Sequence, residues 1–225
     1  MKYYVYISDS KLDMLYSQVP HAVKKKVSTD LKIDFKVFGG SRTSEKETEE
    51  NRMTKLEAVV RFIEENEDVG TVDSDGSYFA DSLEMRWGIP QVRDAAVGGR
   101  VLSALVSFGA MVGSTSVGLF GSACHLIGVG GSPQPGDIKT TMGGESTYFN
   151  IVAAVNGMFG QDQAEVGRGD LASNEEVLQQ FVRFTQRMSG PQQRLEFLAK
   201  RLAVGAARNG CRVLIGTPLY VALAE

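Results

Sequence analysis

The sequence predicts an α+β domain: a mainly antiparallel sheet with helices packed on one face, a C-terminal helix pair and a final strand. Several segments alternate polar and apolar residues, as half-solvated antiparallel strands do. Such segments outnumber simple strand–helix–strand units. Helical periodicity gathers between residues 173 and 208, ahead of one more β-rich run. The 225 residues fit a single domain spanning 1–225. Hydrophobic residues at 43% and charged residues at 23% are globular averages, which excludes a disordered or collagen-like chain. A net charge of −3 removes the overall basic footprint of a nucleic-acid binder.

Residues 2–8 read as the first strand, with Tyr3, Val5 and Ile7 on one face and Tyr4 and Tyr6 on the other. Asp9 or Ser10 can cap the helix that follows, and Ser10 with Asp13 approximates a capping box. Pro20 suits the start of a short second helix over 20–29. Residues 31–38 alternate strictly (Leu31, Ile33, Phe35 and Val37 against Lys32, Asp34 and Lys36), which predicts a strand. Residues 41–51 offer nothing apolar to bury and read as a mobile polar loop. A helix over 52–66 follows, striped by Leu56, Val59, Val60 and Ile63.

Asp73-Ser-Asp-Gly76 is a turn, and Leu83, Met85 and Trp87 alternate with Ser82, Glu84 and Arg86 in a strand. Residues 101–136 contain no Asp, Glu, Lys or Arg. That run is long enough to span a bilayer, and Gly109 with Gly113 forms a G-x-x-x-G pair. Its glycines, serines and prolines instead favour a buried hairpin, with arms 103–112 and 116–127 around Gly113-Ser-Thr115. In the second arm Val117, Leu119, Ala123 and Ile127 share a face with His125. A weaker helix is expected over 147–159. Ser173 to Glu176 is a capping box opening a helix to Met188. The second member of the C-terminal pair runs over 191–208 on Leu195, Leu198 and Leu202, stopped by Asn209-Gly210. Residues 212–224 form the last strand. Pro218 donates no ladder hydrogen bond, so that strand lies at an edge or carries a bulge.

Cys124 and Cys211 fit a reducing compartment, and no signal-peptide core opens the sequence, so a cytoplasmic location is expected. The Gly-rich run from Gly128 to Gly144 can present backbone N–H groups to phosphate, although it matches neither a P-loop nor G-x-G-x-x-G. His125 leads into that run. It and Arg86, with Gly128, Gly130, Gly131 and Ser132, form the expected mouth for a small anionic ligand or nucleotide. Cys124 should face away from His125 on a strand, which argues against a metal site or a Cys–His dyad. Basic residues cluster from Arg183 to Arg212 without interleaved aromatics, so they read as a solvated face.

No nucleophile–base pair, paired acid set or metal spacing stands out. The expected function is a non-enzymatic ligand- or partner-recognition module, with neither nucleic acid nor membrane as partner. One alternative is a nucleotide- or NAD-handling enzyme using the Gly-rich loop and His125. Gly76-Ser-Tyr-Phe-Ala-Asp81 is superficially similar to a strand start of ADP-ribosyltransferases, which also need an earlier histidine and a later glutamate; here those are His21 and Glu145. A second alternative is a membrane-associated effector acting through 101–121. The scarcity of charge over 101–136 also suits a homo-oligomer or protein-partner interface.

Six segments together carry a family resemblance: Lys2-Tyr-Tyr-Val-Tyr-Ile-Ser-Asp9, Gly70-Thr-Val-Asp73, Gly76-Ser-Tyr-Phe79, Met85-Arg-Trp-Gly88, Gly118 to Gly128, and Pro218-Leu-Tyr-Val-Ala-Leu-Ala224. In this order the chain resembles an uncharacterised bacterial domain-of-unknown-function family of about this length. The resemblance implies a place near conflict or phage-defence genes. It supplies no catalytic residues.

Overall fold

In chain order the elements are β1 (Tyr3–Ile7), α1 (Asp9–Gln18), α2 (His21–Phe35), α3 (Ser44–Asn66), β2 (Val69–Gly70), β3 (Tyr78–Gly88), β4 (Leu105–Val112), β5 (Thr115–Ser122), a 3-10 turn (Ala123–His125), α4 (Glu175–Arg187), β6 (Gln193–Ala206) and β7 (Arg212–Leu223). The structure is a computed structural model and describes residues 2–35, 44–89, 105–128 and 175–224. The expected helix over 147–159 lies outside the described residues.

The α+β class holds, but the sheet closes on itself. β3 pairs with β4, β4 with β5, β5 with β7, β7 with β6, and β6 again with β3, a ring of five strands. Closure removes the exposed edges of an open sheet. β1 and β2 attach outside the ring, to β7 and β3. The pairings are antiparallel except β2–β3 and β5–β7. Inside the ring Phe79 meets Phe197 edge-on at 5.5 Å, and Trp87 stacks on Phe108 at 6.0 Å. Val106, Met85, Val117, Leu119, Leu195 and Leu214 complete that core.

The helices cover two separate patches of the barrel's outside rather than one face. α1, α2 and α3 pack through Leu12, Val27, Leu56, Val59 and Ile63 on Leu198, Leu219 and Ala222. α4 packs through Val177, Phe181 and Phe184 on Phe120, Ala203, Val213 and Ile215. Arg52–Asp9, Lys55–Asp13 and Arg61–Asp30 ion pairs stitch the first three helices together.

The hairpin expected from the uncharged run is present, turning at Gly113 with φ +56°. Its described part is two strands, and no described helix is long and apolar enough to cross a membrane. The described part of the charge-free stretch is largely consumed inside the chain: Val106, Phe108, Val117 and Leu119 fill the barrel, and Phe120 holds α4.

In three segments the secondary structure differs from the expected one. Residues 31–35 continue α2 instead of starting a strand; 36–38 lie outside the described residues. Nothing after Pro20 breaks that helix, and once nucleated a helix gains one hydrogen bond per added residue. Short alternation is too weak to stop it. Residues 44–51 are helical too, so α3 takes up most of the supposed loop. The largest correction is 191–208, where β6 replaces the second C-terminal helix. Leu195, Phe197 and Ala199 point into the barrel, while Leu198 and Ala203 meet the helices outside. With both faces covered, apolar residues occupy both parities, and Leu195, Leu198 and Leu202 mimic a helical stripe. Asn209-Gly210 is therefore a hairpin turn, with Gly210 at φ +78° and Ala207 N–H donating to the Cys211 carbonyl at 2.8 Å.

Pro218 does mark a bulge. The β6–β7 register shifts between Ala199↔Pro218 and Leu198↔Tyr220. On its other side β7 changes partner at this point, from β5 (up to Gly216) to β1 (from Tyr220). A second irregularity lies in β1, between Tyr4 and Tyr6. It breaks the expected alternation, so Tyr6 enters the barrel while Tyr4 and Ile7 face the helices.

The basic residues from 183 to 212 are partly structural. Arg201 donates to the Thr71 and Ser74 carbonyls at 3.3 and 2.6 Å, and Arg212 donates to the Val72 carbonyl. Together they clamp the 71–75 loop against β6 and β7.

Candidate functional site

The chemistry-bearing side chains converge where β1 hands over to α1. Ser8 N–H donates to the Leu219 carbonyl at 2.9 Å, and Leu12 N–H makes the first intrahelical bond, to Ser8, at 2.9 Å. Ser8 is the N-cap residue, and its side chain makes no cap bond. The anticipated caps, Asp9 and Ser10, lie inside the first turn with their side chains engaged elsewhere.

His125 arrives from the other end of the barrel's second hairpin arm. After Ser122 the chain leaves β5 in a 3-10 turn, bridges Tyr6 through Leu126, and donates Ile127 N–H to the Val5 carbonyl at 2.9 Å. This sets the His125 ring edge-on to Tyr6, with centroids 6.0 Å apart. Ser10 Oγ lies 3.4 Å from His125 Nε2, and Asp9 Oδ2 lies 3.6 Å from His125 Nδ1. Arg52 holds Asp9 by two donors, Nε at 2.7 Å and Nη2 at 2.9 Å, and Nη2 also reaches the Ile7 carbonyl at 3.2 Å. Burial pushes the His125 pKa below its ordinary 6.5; Asp9 opposes this, while Lys11 and Arg52 add to it. Burial thus favours the neutral ring.

On the other side of α1 lies a cavity of about 290 Å³. Lys11, Gln18, Glu67, Ser77, Tyr78, Lys200 and Thr217 supply its polar groups. Lys11 Nζ donates to the Pro218 carbonyl at 3.1 Å. Burial pulls its amine down from 10.5 to about 8. Lys200 Nζ stands 6.0 Å from the Tyr78 ring centroid. Thr217 is only 5% exposed, and its hydroxyl has no hydrogen-bond partner.

Lys11 makes stability depend on pH in a defined direction. A lysine pKa lowered in the folded state means the charged form is penalised there. The penalty is full below about pH 8 and disappears above the ordinary 10.5. Unfolding free energy should therefore rise by about 1–2 kcal/mol between pH 7.5 and 9.5. Above that window the buried phenol of Tyr6, pushed up to about 12, reverses the trend. Urea titrations at the two pH values check this; a wild-type slope equal to that of Lys11→Met would contradict it.

Of the residues expected at the site, His125 is here and Gly128, at φ +76°, is the last described residue after it. Gly130, Gly131 and Ser132 lie outside the described residues. Arg86 is not brought to His125. It stands on β3 opposite Gly109, and its guanidinium donates to the Gly190 carbonyl. Cys124 sits with Ser122, Sγ to Oγ 3.1 Å, and lies with His125 in the 3-10 turn rather than on a strand. His21 opens α2 and not a strand, which removes the ADP-ribosyltransferase pattern. Among the described residues no three His, Cys, Asp or Glu side chains group as a metal site.

Sequence reading missed Asp9, Ser10 and Arg52 as partners of His125, and Lys11 and Thr217 as cavity residues. The nearest signal was Ser8-Asp-Ser-Lys11 directly after a strand, a strand–turn–helix junction that exposes first-turn amides. One comparison bears on this architecture. The family model described as "Family of unknown function (DUF7019)" matches residues 2–225. The chain belongs to DUF7019. No curated protein and no solved structure matches it. What a DUF7019 chain does has to be argued from the side chains just described.

Proposed function

We propose that this DUF7019 chain is a recognition module for a small anionic molecule held in the cavity between α1 and the barrel. The observation that carries this is the Thr217 hydroxyl, buried without a partner on a residue that lines the same cavity as Lys11. An unsatisfied buried hydroxyl costs about 1–3 kcal/mol, which a ligand oxygen placed against it would offset. Lys11 and Lys200 supply the positive charge, and Tyr78 an apolar wall. A volume near 290 Å³ suits a carboxylate or phosphate compound no larger than a mononucleotide. The resemblance to a family near phage-defence genes makes mononucleotides the first compounds to test.

Calorimetry with inorganic phosphate, small dicarboxylates and mononucleotides tests the reading. At least one should bind, and Lys11→Met and Thr217→Val should each weaken it about tenfold or more. Binding at pH 9 should also take up protons, because an anion beside Lys11 draws its pKa back up. No binding by the folded wild type, or binding indifferent to both substitutions, would overturn the reading.

A further inference from the structure

We infer that Ser10, His125 and Asp9 form a nucleophile, general base and positioning carboxylate able to hydrolyse a carboxylic ester. This inference is independent of the cavity ligand, which lies on the other side of α1. Nucleophile–base–orienter geometry defines such a set, not sequence order. Ser10 Oγ is 3.4 Å from Nε2 and Asp9 Oδ2 is 3.6 Å from Nδ1, separations that tighten when substrate binds. Arg52 fixes both carboxylate oxygens of Asp9, so that Oδ2 is presented to the ring. With its proton on Nδ1 facing Asp9, the ring leaves the Nε2 lone pair for Ser10. Ser10 is exposed, and His125 keeps 15% of its side chain in solvent, so a substrate can reach both.

The first turn of α1 completes the arrangement. The N–H groups of Asp9, Ser10 and Lys11 precede the first intrahelical bond and have no acceptor within the helix. They carry the positive end of the helix dipole, where a developing oxyanion is stabilised. In the reaction, Ser10 Oγ bonds to the ester carbonyl carbon while its proton passes to His125 Nε2. The carbonyl electron pair moves onto oxygen, beside the first-turn amides. Collapse breaks the bond to the alkoxide, which takes the proton from the imidazolium. Water, deprotonated by the same nitrogen, then attacks the acyl group on Ser10, releasing the carboxylate and restoring the serine.

A fluorophosphonate probe, which bonds to an activated serine Oγ and expels fluoride, tests this on the full chain with readout by intact-mass and peptide mass spectrometry. One adduct is expected, on Ser10, and none in Ser10→Ala. His125→Ala and His125→Gln should slow labelling at least 100-fold, and two variants guard against a folding defect in either. Asp9 is a positioning residue, so Asp9→Asn should also move the acid limb of the pH–labelling profile. Asp9, Lys11 and Arg52 are the charges that act on His125, and the Tyr6 ring packs against it; losing the Asp9 charge removes the one that raises its pKa, so the limb moves to lower pH. No Ser10 adduct on folded wild type, or wild-type rates in both histidine variants, would overturn the inference. Because Ser10→Ala leaves the cavity intact, anion binding and labelling fail separately.

Discussion

Phe120→Ala is expected to lower the unfolding free energy by about 3–5 kcal/mol. Phe120 is 1% exposed on the outside of β5. Its ring meets Phe181 edge-on at 5.6 Å and Phe184 at 5.7 Å, so it is the post against which α4 leans. Val213, Ile215 and Ala203 close the remaining sides, and strands locked in a barrel cannot collapse into the gap. The cavity term should therefore be felt nearly in full. Urea denaturation followed by circular dichroism measures it. A loss under 1 kcal/mol would mean that α4 is not docked through this ring.

The second large effect is expected at Gly121. A Cβ built there would stand 2.6 Å from Tyr6 Cζ and closer still to the Tyr6 hydroxyl. Tyr6 is fully buried, edge-on to Phe108 at 6.0 Å, and cannot withdraw. Gly121→Val should cost about 3 kcal/mol by overpacking. The Tyr6 ring also flanks His125, so the same substitution should displace the histidine. Gly121→Ala in a Tyr6→Phe background should recover only part of the loss, because Cζ still obstructs. Chemical denaturation of the variants decides it; a Gly121→Val cost below about 0.5 kcal/mol would show that the ring has room to move.

What was legible in the sequence was local. The β4–β5 hairpin, β3 around Met85, α4 and the Pro218 bulge each follow from a signal a few residues long. β6 was not legible, because a strand covered on both faces loses its alternation and its leucines fell at helical spacing. Barrel closure was not legible either, since the β3–β6 pairing joins segments about 115 residues apart and leaves no local mark. The site divides the same way. His125 stood out as one of two histidines, but its partners Asp9 and Ser10 lie 115 or more residues upstream. Arg86 was chosen for the face it occupies on a strand, and only the register shows that this places it at Gly109, away from His125.

The partner exchange of β7 carries a consequence for synthesis. Tyr3 pairs with Leu223, and β7 also bridges β5 to β6, so the ring stays open until β7 has left the ribosome. Until then β1 has no strand to pair with, and β5 and β6 each present an unpaired edge. Such edges recruit other strands. Non-local pairing of this kind makes folding slow and leaves the nascent chain exposed to aggregation. Chaperone dependence should therefore be greatest in the interval before residue 212 emerges, and ribosome-bound chains arrested there should be protease-sensitive across the barrel strands already made.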